Sequence, residues 1–191
     1  MTAGGAEDAK YIMPCLLKSP VSDHQRELVE AIAGRFGLTL TQRQAIPAHF
    51  TLKYHFTTAE IGQLEALLER FVRAHSRTPV TIGGFGHFLE DVVFVEVELS
   101  PAAKRTFEAL VSTLRTLPWM PWDRFDAENL HPHMTIAERC GVDFPEVWEF
   151  LTPLERRFSA WFDNITILRK VGERDDMDLW AVHRSFELGA D

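Results

Sequence analysis

Two short segments, "HFTLKYHF" at 49–56 and "HPHMTIAERC" at 131–140, constrain the fold of this chain more than any other feature. Successive side chains of a β-strand point to opposite faces. His49, Thr51, Lys53 and His55 therefore share one face of the first segment, and Phe50, Leu52, Tyr54 and Phe56 the other. The second segment sorts alike, with His131, His133, Thr135 and Arg139 against Met134, Ile136 and Cys140. An apolar face belongs in a core, whereas the same polar groups repeated on two strands make a chemical surface. The fold has to bury one side of each strand and keep the other open.

The elements around these strands form a diverged repeat. The pattern predicts a strand at "YIMPCLLK", then a helix from about Ser22 to Phe36 with Val29, Ile32 and Phe36 on one face and Gly37 as its stop. After the first histidine strand, Thr57 and Glu60 read as a capping box for a helix with face Ile61, Leu64, Leu68, Phe71 and Val72. Strands "VTIGGFGHF" and "VVFVEVELS" come next, across a tight "LED" turn. Ser100 and Pro101 cap a third helix carrying Phe107, Leu110, Val111 and Leu114. A fourth helix runs from about Pro145 to Thr152, with Asp143 and Glu146 as another capping box. Two last strands, Trp161 to Arg169 and Met177 to Leu188, flank "GERDD". Each half thus reads strand, helix, histidine strand, helix, strand, strand, if "VVFVEVELS" closes the first half and opens the second. Such symmetry would bring the two histidine strands together across a central groove.

Composition limits what the groove can serve. A chain of 191 residues with 46% apolar content suits one domain with a substantial core, here two intertwined pseudo-repeat lobes. The net charge of −8, from 20 Lys and Arg against 28 Asp and Glu, disfavours an extended nucleic-acid surface but leaves room for one local anion site. Cys15 and Cys140 sit in apolar strand-like runs and read as buried reduced thiols. The first nine residues read as a flexible tail, and without a signal pattern or a membrane-length apolar run the expected location is the cytoplasm. A monomer without membrane contact is expected.

A His, any residue, Ser or Thr, apolar pattern is cheap, and the chain matches it again at His183 to Phe186. Position carries the weight: the first two matches fall at equivalent places in the halves, whereas His183 lies in the closing strand without a counterpart and reads as structural or peripheral. "HFTL" and "HMTI", so placed, resemble the paired signatures of the two-histidine (2H) phosphoesterase superfamily, above all its bacterial 2′-5′ RNA ligase or cyclic phosphodiesterase branch. The preceding "AH" and "HPH" and the element order along nearly the whole chain fit as well. The resemblance implies an α+β, bilobal, pseudo-symmetric fold with two antiparallel sheets facing a cleft and helices outside. It also implies chemistry without metal or cofactor on 2′,3′-cyclic phosphates or related phosphodiesters.

Opening a cyclic phosphodiester requires a base for water, an acid for the departing ribose oxygen, and donors for the non-bridging oxygens. Two histidines suit the proton roles because an imidazole titrates near neutrality. His49 and His133 are the expected acid/base pair, in either order, with Thr51 and Thr135 donating to the phosphoryl oxygens. The expected substrate-binding residues are Lys53, Arg139, Tyr54 and Trp122. Lys53 and Arg139 supply charge. The loop "LPWMPWDRF" offers Trp119, Trp122 and Phe125 either as a base-stacking platform or as a packed lid. "GGFGHF" misses the dinucleotide spacing and reads as a strand bulge or a close approach of ligand to backbone. His131 with His133 could share a metal if His49 supplied a third ligand. The contributions of His131, His55 and His183 stay open. The ligand is a small phosphate-containing molecule, a nucleotide or an RNA terminus. The alternatives to a phosphodiester hydrolase are a non-catalytic nucleotide-binding or sensing module using the same cleft, and an interaction protein with incidental histidines.

Overall fold

The computed structural model describes residues 8–44 and 46–189. The expected tail lies outside the described residues over 1–7, and its last residue, Ala9, already belongs to a strand. In chain order come β1 (Ala9–Leu16), α1 (Val21–Phe36), α2 (Leu40–Gln44), β2 (His49–Thr58), α3 (Ile61–Arg73), β3 (Thr78–Phe88), β4 (Val92–Leu99) and α4 (Pro101–Leu114). The second part of the chain adds β5 (His133–Ala137), α5 (Phe144–Leu151), β6 (Phe158–Phe162), β7 (Asn164–Arg174) and β8 (Met177–Glu187).

These strands form two four-stranded antiparallel sheets, ordered β2-β1-β7-β8 and β5-β4-β3-β6. The α+β bilobal expectation holds, with β4 opening the second half: β5 flanks β4 as β2 flanks β1. The halves are interleaved. β3 comes after the first histidine strand but pairs with β4 in the second sheet, and β7 returns to pair with β1 in the first. One apolar core runs through both, with Phe50, Ile32, Leu64, Ile82, Leu110 and Leu114 fully buried. Among the described residues no helix is long and apolar enough to cross a membrane.

Local signals act as the residues dictate in several places. Gly37 closes α1 at φ 71°, its N–H bonded to the Ala33 carbonyl, a backbone shape glycine adopts without a Cβ clash. The Ser100 hydroxyl accepts from the Ala103 N–H at 3.1 Å, capping α4. Gly83 and Gly84 form a bulge in β3 between Ile82 and Phe85, and a Cβ on Gly86 would run into the Phe94 ring.

Other expectations are corrected. Thr57 is not a cap, because β2 runs on to Thr58 and Thr57 pairs with Lys10; the Thr58 hydroxyl instead accepts from the Glu60 N–H. Asp143 cannot cap α5, because a 3₁₀ turn over Gly141–Asp143 feeds directly into the helix and leaves Asp143 helical. The penultimate strand is two: β6 ends at Phe162 on the second sheet, and β7 starts at Asn164 on the first. Asp175 and Asp176, at φ 50° and 60°, form the tight turn between β7 and β8. The short helix α2 lacks an apolar stripe to announce it and buries no side chain.

Candidate active site

The two histidine strands are the edge strands β2 and β5, and they approach each other where the sheets meet. Their local hydrogen-bond patterns correspond. The carbonyl before each histidine accepts from the neighbouring strand, Ala48 from the Leu17 N–H and Pro132 from the Val97 N–H. His49 Nδ1 lies 2.8 Å from the Pro47 carbonyl, and His133 Nδ1 lies 2.6 Å from the His131 carbonyl. A carbonyl only accepts, so each Nδ1 carries the proton and each Nε2 is left free. Both strands then bulge just beyond the threonine. Thr51 pairs with Pro14 but Lys53 with Met13, leaving Leu52 extra; Thr135 pairs with Phe94 but Ala137 with Val93, leaving Ile136 extra.

The bulge turns the next side chains of β2 onto new faces. Lys53 joins the face of Met13 and Phe50 rather than that of His49, and it is not a cleft residue. Its ammonium lies 2.7 Å from Asp126, and both side chains are 1% exposed. Asp126 also accepts from the Tyr54 and Asp123 N–H groups at 2.9 and 3.0 Å, which fastens the 119–130 loop onto β2. Trp122 lies over this buried ammonium, 5.5 Å from ring centre to nitrogen, and Tyr54 packs toward Phe125. The lining of the cleft at His49 includes none of Lys53, Tyr54, Trp122, Thr51 or His133; Lys53, sealed in its ion pair, is corrected as a substrate contact, and Tyr54 and Trp122 face that pair and its loop instead. The tryptophan loop is fastened to β2 through Asp126, and Trp122 and Phe125 on it stay exposed.

A cleft of about 450 Å³ opens at the histidine strands, and His49, Thr135 and Arg139 line it with Gln25, Glu138 and Trp180. Gln25 of α1 holds the Thr135 carbonyl at 3.1 Å. Thr51 is buried beside His49 on the same face, with 8% of its surface exposed. His133 is half-buried, its ring 4.9 Å from Phe88 and 4.9 Å from Phe94. Arg139 is exposed at φ 59°, a strained shape for a residue with a side chain. A larger hollow, about 820 Å³, lies between β4, α4 and the 127–132 loop and includes neither His49 nor His133.

Burial sets the electrostatics of the site. It pushes the pKa of His49 below the usual histidine value; the Pro47 carbonyl opposes this, and charge on His133 adds to it. Burial likewise lowers His133, against the pull of the His131 carbonyl. Glu138, half-buried in the cleft, is raised by burial. The thiols of Cys15 and Cys140 are buried and free, pushed up by burial to about 12 and about 11.

The remaining histidines separate. His131 Nε2 turns to Glu96 at 2.7 Å, away from the Nδ1 anchor of His133. Among the described residues no three His, Cys, Asp or Glu side chains are grouped to hold a metal ion. His183 bonds Glu65 of α3 at 2.6 Å, outside the cleft. His55, by contrast, lines the cleft with Trp180. Trp180 sits in the apolar run Leu179–Val182 of the closing strand "DLWAVHRS", which does not set it apart from a core residue in the sequence.

Comparison with known proteins agrees with this architecture. Solved structures similar to the chain include TT0787 of Thermus thermophilus, at 19% identity and a TM-score of 0.65 over 95% of this chain and 99% of that one. LigT of E. coli, crystallised with 3′-AMP, is 13% identical with a TM-score of 0.61 over 96% of this chain and 99% of that one. No curated protein sequence matches the chain. The family model described as the 2′-5′ RNA ligase superfamily matches residues 20–174. With the fold and the paired histidine strands already in view, that match over most of its length places the chain in the 2′-5′ RNA ligase superfamily, among the 2H phosphoesterases.

Proposed function

We propose that the cleft hydrolyses 2′,3′-cyclic phosphodiesters of nucleotides or RNA ends without a metal, using His49 and His133 as a proton-transfer pair. The observation that carries this reading is the identical anchoring of the two rings at equivalent points of the repeat, each with Nδ1–H on a carbonyl and Nε2 free. Water attacks phosphorus while one neutral Nε2 takes its proton. The bond to one ribose oxygen breaks, and the other imidazolium gives that oxygen its Nε2 proton. The product is a phosphate monoester beside a free hydroxyl. Both rings are poised neutral by burial, and an arriving phosphodiester anion favours the one proton the pair needs. Thr135 and Thr51 donate to the non-bridging oxygens, and Arg139 offsets the charge. Joining of RNA ends follows in the same site when the hydroxyl of a second RNA end attacks phosphorus in place of water: one imidazole takes its proton, and the other protonates the departing ribose oxygen. The fold-similar LigT of E. coli has been crystallised with 3′-AMP, phosphate, ATP and NADP+, which supports a phosphate-bearing ligand.

The test is hydrolysis of adenosine 2′,3′-cyclic phosphate in EDTA by wild type, His49→Ala and His133→Ala. The expected result is EDTA-resistant turnover that falls about 10²-fold or more in each variant. Turnover abolished by EDTA sinks the metal-free mechanism. A wild type that binds the nucleotide without turning it over makes the protein a binding module instead.

A further inference from the structure

The proton-transfer pair leaves idle the aromatic side chains that line the same cleft. His55 of β2 and Trp180 of β8 stack with ring centres 5.2 Å apart and planes 6° from parallel. Both line the cleft that contains His49 and Arg139. We propose that this stack is the nucleobase subsite, taking the base of a nucleotide whose phosphate lies at the two histidines; this rests on the phosphodiester reading.

Three features carry the inference. The first is position in the repeat: His55 stands six residues beyond His49 and Arg139 six beyond His133, and both His55 and Arg139 line the cleft. The repeat puts a guanidinium there in one half and a flat ring in the other, so a nearly symmetric cleft acquires one end for an anion and one for an aromatic ring. A second bulge in β2, between the Lys53–Met13 and Phe56–Tyr11 pairs, delivers His55 to this place. The second feature is fixation. Asp178 is gripped by Lys10 at 2.6 Å and Lys170 at 2.5 Å, and Lys10 lies 5.8 Å from the Trp180 ring centre. The platform is held before ligand arrives, which lowers the ordering cost of binding.

The third is charge. Asp176 lines this end of the cleft beside the ion-paired Asp178 and opposes a phosphate there, whereas a neutral base meets no such penalty. Partial desolvation of its otherwise exposed ring, with the nearby Lys10 and Lys53 charges, holds His55 below the usual histidine pKa, so it stacks as a neutral ring near pH 7. The stack does little for the core: His55 is exposed and Trp180 half-exposed, while Tyr11 and Phe56 fill the interior beside them.

The test compares kcat/KM for adenosine 2′,3′-cyclic phosphate with that for 1-O-methylribose 2′,3′-cyclic phosphate, which lacks a base. Wild type is expected to prefer the nucleotide by about 5- to 100-fold, the usual contribution of one base on an aromatic ring. In Trp180→Ala the preference is expected to collapse to within about twofold, and in Trp180→Phe to survive in part. His55→Ser, at an exposed position, repeats the measurement should Trp180→Ala fold poorly. An undiminished preference in Trp180→Ala and His55→Ser overturns the subsite, as does a wild type with no preference. Should wild type hydrolyse neither compound, the cyclic phosphodiesterase reading fails. Equilibrium binding of adenosine 3′-monophosphate against 1-O-methylribose 3-phosphate then decides the subsite alone, supported by a preference lost in Trp180→Ala and overturned by one retained.

Discussion

Lys53→Met is the substitution that best separates the structure from the strand pattern. Strand alternation makes Lys53 a phosphate contact, whereas the bulge puts its ammonium 2.7 Å from Asp126, both side chains 1% exposed. Methionine keeps most of the volume and strands the Asp126 carboxylate in the interior. Breaking one side of such a pair costs about 3–5 kcal/mol. For a chain of this size each kcal/mol shifts the melting temperature by roughly 2–4 °C, so the expected loss is about 6–20 °C. Asp126→Asn keeps an acceptor for the Tyr54 N–H and removes the charge. The double variant Lys53→Met/Asp126→Asn should therefore recover at least about 2 kcal/mol relative to additivity. Urea unfolding of the four proteins at pH 7 gives the cycle, and KM for a cyclic nucleotide on the folded fraction gives the functional arm. A single variant within about 1 kcal/mol of wild type, or additive energies, would refute the buried pair. A large rise in KM with unchanged stability would restore Lys53 to the cleft.

Because burial lowers both histidines of the proposed pair, the bell of kcat/KM against pH is expected to peak on the acid side of 6.5, with the kcat profile shifted upward once the anion is bound; a kcat/KM optimum above pH 7 would contradict this. Stability has its own pH signature. His24, His49, His55 and His133 are all lowered, so the unfolded chain binds more protons than the folded one between their folded values and about 6.5. Their contribution raises the urea midpoint as pH climbs through that window and adds nothing further above it. Arg139→Gly relaxes a left-handed backbone and removes a cation, so the melting temperature should hold within about 3 °C while KM for a cyclic nucleotide rises roughly tenfold or more. Ser100→Ala, which deletes the cap of α4, should cost about 1 kcal/mol in urea unfolding and leave kcat unchanged.

The histidine strands were legible because their alternation is short-range and both faces are chemically pure. Gly37 and Ser100 were legible because a cap is a local bond between near neighbours. Lys53 was not, because a bulge adds a residue without changing composition and only shifts the phase of the residues after it. Its trace in the second strand is the adjacent pair Ile136 and Ala137, where strict alternation asks for a polar residue. Helix α2 lacked an apolar stripe; it is held instead by neighbours remote in sequence, including an Arg43–Asp175 ion pair. The division at Asp163 depends on which sheet each strand joins, information that lives in Asn164. Its side chain bonds the Leu16 N–H and carbonyl, anchoring β7 to β1. His55 and Trp180 stand on opposite edge strands of one sheet, and only its curvature brings them together.

The interleaving of the halves bears on how the protein is made. β1 leaves the ribosome first, yet its second neighbour is β7, and Leu16 must wait for Asn164, 148 residues later, before its backbone N–H is bonded. β3 likewise cannot find its place until β4 and β6 have been synthesised. Neither half can complete its sheet alone, so a nascent chain carries open strand edges until β6, β7 and β8 have been synthesised. Those edges are sites for aggregation or for exchange with a second copy. Pairings this distant in sequence slow folding and hold it back until β7 and β8 have been synthesised. The same wait keeps the cleft from assembling on a truncated chain, which ties its appearance to completion of both sheets.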